Sequence, residues 1–492
     1  MKRNLAPLAA LVLGASLTLA VLPPRAQEEN ALAAADRQIL TEIADHSQQM
    51  ENLQYLTDRI GPRLTGSDAL KRANQWTAER FRDYGLSNVH LESFTIAHSC
   101  KRGYTRARVV APASIRLIGL AAGWSPNTEG AARGPLVYVK ADKVEELEAY
   151  RGKLRGAIVI AAEPPPRIRV AERPVHPREP RPRFDFAARR RFWAKRDAIF
   201  KEEGVLAVLR GSNKGFGLHA MSAASRDYQP AAVPTAFLAP ESYDLLWRLL
   251  QEEQPVEVEV AIEGVEFSEG PVEVYNTVAE IPGSEKPEEV ILLGAHIDSW
   301  DLGTGATDNG TGVSVVLEAA RALQKLQKFG LKPKRTIRFL LFSGEEQGLN
   351  GSRAYLEAHK DEMSKVSAIL VHDSGTGRVE TIGLNGNAQT YDVLTEALAP
   401  LRSMIALQDL NLRTVRGSDH TSFNRVGVPG FFCLQERATY RQTHHSQADT
   451  FDKVVKDDII NGAQVMAVFA YNVAQLDDLL PRRPQKEEAA AH

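Results

Sequence analysis

Cysteine is nearly absent: Cys100 and Cys433 are the only two in 492 residues. A disulfide framework needs more, so the fold rests on an apolar core, and the pair leaves open one long-range bridge or two buried thiols. An excess of charge of either sign is missing too. Lys and Arg number 60 against 62 Asp and Glu, a formal net charge of −2, which argues against the basic footprint of a nucleic-acid binder. Beyond the N-terminus no apolar run approaches the roughly 20 residues of a membrane-spanning helix. No G-x-S-x-G stands anywhere in the chain, which argues against a serine hydrolase built on a nucleophile elbow.

What is present is an ordinary globular composition, 43% hydrophobic and 25% charged, long enough for two or three domains. The first 27 residues place Lys2 and Arg3 before an Ala/Leu-rich stretch that ends in small residues. That is the pattern of a secretory signal cleaved between Ala20 and Gln27, too short for a retained anchor, so the protein is expected to be secreted or periplasmic with no stable membrane span after processing. Helical periodicity covers Asp36 to Ile60 and Ser67 to Tyr84, interrupted by GPRLTG. From 123 to 267 the texture changes to short strands and turns, read as a small inserted β-rich domain. Residues 28–122 and 268–480 form the main domain, where strands and helices alternate from Asn276 onward, and 481–492 a disordered tail. The Pro/Arg-rich stretch 163–196 reads as a solvated loop leading into a helix.

Potential metal ligands follow the apolar strands of the main domain. EVILLGAHID ends in His296, and Asp298, two residues on, is placed by strand alternation to hydrogen-bond and orient that imidazole. The glycines of DLGTGATDNGTG let the chain turn and bring Asp308 back to the same place, although Asp308 at the head of a helix could equally be a cap. TIRFLLFSGEE ends in two adjacent carboxylates, which repel unless a cation or a shared proton compensates. The functional reading assigns Glu346 to the metal and Glu345 to the work of a general base. SAILVHD ends in Asp373, with His372 directed to the opposite side of the strand as a structural histidine. One of His444 and His445, in YRQTHHSQADT, supplies a further imidazole. Loops at the carboxyl ends of parallel strands converge on the crevice where open α/β sheets bind ligands, so these residues are expected at one mouth.

Taken in order, GAHIDSW…GATDNG, SGEEQG, HD, SDHTSF and HHSQADT resemble the co-catalytic di-zinc peptidase family of leucyl-type aminopeptidases and carboxypeptidase Q. SWDLG, GPRLTGS and NTVAEIPGSEKPEEVILLGAHIDSWD resemble the carboxypeptidase Q branch in particular. The resemblance covers nearly all of the mature chain and implies an αβα sandwich with a mixed, mostly parallel sheet, carrying an insert like a protease-associated domain. It implies two zinc ions per chain: His296, Asp308 and Asp373 around one, and Glu346, His445 and a bridging Asp308 completing the pair. Glu345 matches the base that takes a proton from a water between the metals, and Asp298 the orienting carboxylate. His444 takes a place that helps stabilise an oxyanion, while Asp419 and His420 match a loop near the substrate, where Ser418 and Asp419 could also cap a helix.

The expected substrates are dipeptides or short peptides. The SDH stretch is more like the aminopeptidases, so amino- against carboxy-terminal specificity stays open, as does a homodimer. Three alternatives stand beside this: a strict aminopeptidase on longer peptides, a non-catalytic binding ectodomain, and a single-zinc cyclase, which would have lost part of the ligand set.

Overall fold

Every position from Val290 to Ala295 is apolar or glycine, a pattern stable only in a strand covered on both faces. The computed structural model, which describes residues 24–166, 186–225, 227–252, 254–437 and 440–483, places it at the centre of a seven-stranded sheet. We label the strands of that sheet β1 (Ser87–Ile96), β2 (Val272–Ile281), β3 (Lys286–His296), β4 (Arg335–Phe342), β5 (Val366–Val371), β6 (Val379–Gly383) and β7 (Gly430–Gln435). Their order is β1-β2-β4-β3-β5-β7-β6. The four central strands pair in parallel, β2 and β6 run against them, and β1 is antiparallel to β2, so β1 shares the central direction. Most strands therefore point one way, as expected.

Alternation along the strands builds two cores. Ile291, Leu293 and Ala295 face one layer with Leu341 and Leu370, while Val290 and Leu292 face the other with Phe342 and Val371. The first layer is covered by helices α1 (Pro24–His46), α2 (Asp68–Asp83), α3 (Thr311–Leu326) and, C-terminal to these, Lys456–Gln475. The second packs on Tyr355 and Leu356 of Asn350–Ala358 and on Phe423. Helices on both faces complete the αβα sandwich.

The helical stretch Asp36–Ile60 is broken at Ser47 and Gln48, where the Gln48 amide donates to Glu318 on α3 at 3.1 Å. Cys100 and Cys433 are both buried free thiols, so no bridge joins the two parts of the molecule.

The insert leaves and re-enters at one point, since Ile96 at the end of β1 pairs with Val272 at the start of β2. Between them lies an eight-stranded sheet. The expected start at 123 needs correction, because Tyr104–Ala111, Ile115–Leu117 and Gly119–Ala121 belong to this sheet. The basic look of YTRARVVA hides a half-buried strand. Ala107 and Val109 face the core, while Arg106 and Arg108 pair across the strand with Glu263 and Glu259, both at 2.9 Å. The signal-like residues 1–23, the centre of the Pro/Arg-rich stretch (167–185) and tail residues 484–492 lie outside the described residues. No helix among the described residues is long and apolar enough to cross a membrane.

Candidate metal centre

The parallel strands deliver their side chains to one edge. His296 is the last residue of β3, Glu345 and Glu346 follow β4, and Asp373 follows β5. His296 Nε2 lies 3.3 Å from Asp308 Oδ1 and 3.3 Å from Asp373 Oδ1. Its Nδ1–H donates to the backbone carbonyl of Asp298 at 3.0 Å, which turns the Nε2 lone pair toward the two carboxylates.

On the other side of Asp308, His445 Nε2 lies 3.4 Å and His444 Nε2 3.8 Å from Oδ2. His445 Nε2 also approaches Glu346 Oε2 at 2.7 Å. The donor atoms fall into two groups, His296–Asp308–Asp373 and Asp308–His444–His445. Asp308 belongs to both.

The loop carrying Asp308 is shaped by contacts distant in sequence. Gly305 adopts φ +64°, and a Cβ there would meet Ser299 Cβ at 2.4 Å, so only glycine fits. Asp449 Oδ1 accepts the Thr307 amide at 2.5 Å and the Thr307 hydroxyl at 2.8 Å, and its Oδ2 accepts the Asp308 amide at 3.2 Å. Arg63, fully buried, donates to the carbonyls of Ile297 (2.7 Å), Gly61 (3.1 Å), Thr304 (2.8 Å) and Gly305 (2.7 Å). Asp308 is thus held by its neighbours and is not a helix cap.

Asp298 departs from its expected role. Its carboxylate lies 3.6 Å from His296 Nδ1, beyond a hydrogen bond. It accepts instead the amides of Glu345 (3.2 Å) and Glu346 (3.3 Å) and the Thr65 hydroxyl (3.1 Å). Alternation predicts a common side for residues two apart, but the ladder ends at His296, and beyond it the chain turns toward the loop after β4.

The electrostatics are those of crowded acids. Burial, followed by Asp308 and other carboxylates, holds Glu346 well above the usual carboxylate range. Burial, then Asp373, Asp419 and Glu346, does the same for Glu345 against the opposing charge of His296. Burial opposes ionisation of Asp308, yet His296, His444 and His445 outweigh it and keep that carboxyl low. Burial pulls His444 down to about 3, and lowers His445 as well. Asp308 Oδ2 and both Glu346 carboxylate oxygens are buried without a hydrogen bond of good geometry. Two imidazoles and three carboxylates with spare lone pairs form a nitrogen and oxygen donor set that fits zinc.

Three further residues singled out in the sequence are all buried. His372 is buried on the far side of β5, against Gly462 of the C-terminal helix, and burial lowers it to about 4. Asp419 and His420 are fully buried, and the charge of Asp419 is felt at Glu345. His420 packs on Phe432 and reaches the Val415 carbonyl at 3.2 Å. Asp419 makes no capping bond to the short helix that follows it. Asp449 and Arg63 were not among the expected site residues. Asp449, the acidic residue four places after His445, points in the sequence to His445 but is given no role of its own there, and no local pattern marks Arg63.

A mostly parallel αβα sheet whose strand ends gather histidines and carboxylates around a shared aspartate is the arrangement of a metal-dependent enzyme, and the relatives of this chain make that class metallopeptidase. Residues 276–470 match peptidase family M28. The chain is 31% identical to carboxypeptidase Q of Rattus norvegicus over 438 residues, 88% of this chain and 86% of that protein. In structure it is similar to a peptidase M28 precursor from Shewanella amazonensis SB2B, with a TM-score of 0.77 and 25% identity over 93% of this chain and 100% of the other. An aminopeptidase from Aneurinibacillus sp. strain AM-1 shares the fold, with a TM-score of 0.64 and 22% identity over 92% of this chain and 98% of the other. The chain belongs to peptidase family M28.

Proposed function

We propose that the protein is an exported exopeptidase that hydrolyses dipeptides or short peptides at two zinc ions. The observation that carries the reading is the sharing of Asp308 between two donor groups, which would let one carboxylate serve two cations. His296 and Asp373 complete one position; Glu346 and His445 complete the other. His445 is preferred to His444 because it is nearer Asp308 and also approaches Glu346. Zinc supplies a Lewis acid that polarises a carbonyl and makes water more acidic.

The chain's own groups do the rest. Glu345 takes the proton of the attacking water and later passes it to the leaving amine, a role suited to a carboxyl whose proton affinity is raised by burial and neighbouring acids. Asp298 fixes the backbone on which Glu345 stands. His444, with 42% of its side chain exposed and its ring stacked 3.7 Å from that of His445, faces the substrate and steadies charge developing on the carbonyl oxygen. The insert is read as a protease-associated-like unit spanning Ala97 to Pro271, and the signal pattern at the N-terminus supports export.

The test is Glu345→Gln, assayed on free dipeptides with zinc measured on the same preparation. Two zinc per chain with turnover reduced about 10²- to 10⁴-fold supports the assignment. Near-normal turnover overturns the base, and a preparation that binds no zinc overturns the centre.

A further inference from the structure

One loop of the insert reaches the segment that borders the metal centre. Beyond the strand Ala207–Gly211 it runs along the segment that carries His444 and His445. The Gly215 amide donates to the Gln442 side chain at 3.4 Å and the His219 amide to Gln447 at 2.9 Å. The Met221 amide donates to the His445 carbonyl at 2.8 Å, and this bond holds a residue with the unusual φ of +54°.

Within that loop stands Lys214, 3% exposed. Its Nζ donates to the Arg441 carbonyl at 2.7 Å, and among the described residues it has no carboxylate at ion-pair distance. A buried ammonium with only a neutral acceptor is poorly compensated. Burial lowers it to about 8, and its charge is felt at Asp308, His444 and His445. Arg63, a second buried cation felt at the centre, donates to four carbonyls. An ammonium has three donors, so Lys214 can take further partners.

We propose that Lys214 receives the free α-carboxylate of the substrate, so that the insert selects dipeptides, whose carboxylate lies one residue beyond the scissile bond, over blocked or longer peptides. The inference rests on the metallopeptidase reading of the same centre. The carboxylate would supply the counter-charge that the fold leaves out, and the loop carrying Lys214 is hydrogen-bonded to the segment bearing His445.

The test uses the full mature chain loaded with zinc, an apolar dipeptide and the same dipeptide as its C-terminal amide. Wild type should favour the free acid by about 10- to 100-fold in kcat/KM, the worth of a charge-assisted hydrogen bond. Lys214→Met should lose most of that preference, its rate on the acid falling far more than on the amide, and Lys214→Arg should restore part of it. A wild-type ratio near 1, or equal losses on both substrates, overturns the proposal. If Lys214→Met does not fold, the wild-type ratio decides alone: 10 or more supports it and about 1 overturns it. Failure of the peptidase reading looks different, because neither substrate would then show hydrolysis sensitive to Glu345→Gln.

Discussion

Asp298 Oδ1 accepts the amide N–H of Glu345 at 3.2 Å, while Oδ2 accepts that of Glu346 at 3.3 Å. One buried carboxylate thereby positions the backbone of both Glu345 and Glu346. Asn at this position offers one acceptor oxygen and sets an NH2 against the second amide. Asp298→Asn should lower kcat/KM about 10- to 100-fold at saturating zinc with the fold intact by circular dichroism. Unchanged kinetics would mean that the Glu345 turn holds itself.

The two adjacent histidines should separate by metal count. His445→Ala should bind one zinc fewer per chain, whereas His444→Ala should keep both and slow turnover by about 10²-fold. Atomic-emission analysis beside kinetics reads both effects, and the reverse pattern would exchange the two roles.

Arg63 joins GPRLTG to the metal loop, 234 to 242 residues away in sequence, through the carbonyls of Ile297, Thr304 and Gly305. Lysine has the charge but not the planar fork. Arg63→Lys should weaken zinc affinity about 10- to 100-fold, read by competition with a chelating dye. Wild-type affinity would show that the glycines shape the loop without help.

A pH effect should arise far from the centre. Asp36 on α1 is fully buried and raised to about 7 by burial, against the opposing Asn472 hydrogen bond and Arg37 charge. Between its ordinary value of 3.8 and about 7 the folded chain holds a proton that the unfolded chain has released. The carboxyl therefore favours folding at low pH, and that contribution is lost as pH rises through 7. Asp36→Asn, which stays neutral, should match wild type near pH 4 and gain stability relative to it by about 2–4 kcal/mol at pH 8. Denaturant melts at both pH values check this, and a difference that does not grow with pH would refute it.

His296, the Glu345–Glu346 pair and Asp373 were legible because each ends or follows a run of apolar residues that forms a buried strand, and strand direction carries their side chains to one edge, whereas Asp308 and His445 stand on loops. His372 and Asp373 were separated by alternation alone, and the structure places them on opposite sides of β5. Asp298 was misjudged for the same reason. Alternation applies within a ladder, and the ladder stops at His296. The insert boundary was missed where Arg106 and Arg108 disguise a strand whose other face is buried.

Local periodicity and residue chemistry thus determined the strand ends and the donor types, since both depend on spacing along the chain. Contacts between distant segments decided the rest: Arg63 under the metal loop, Asp449 beneath Asp308, and Lys214 beside the histidines. Hydrogen bonds and charges act across space, so which buried cation meets which carbonyl or carboxylate is settled only when the separate stretches pack together.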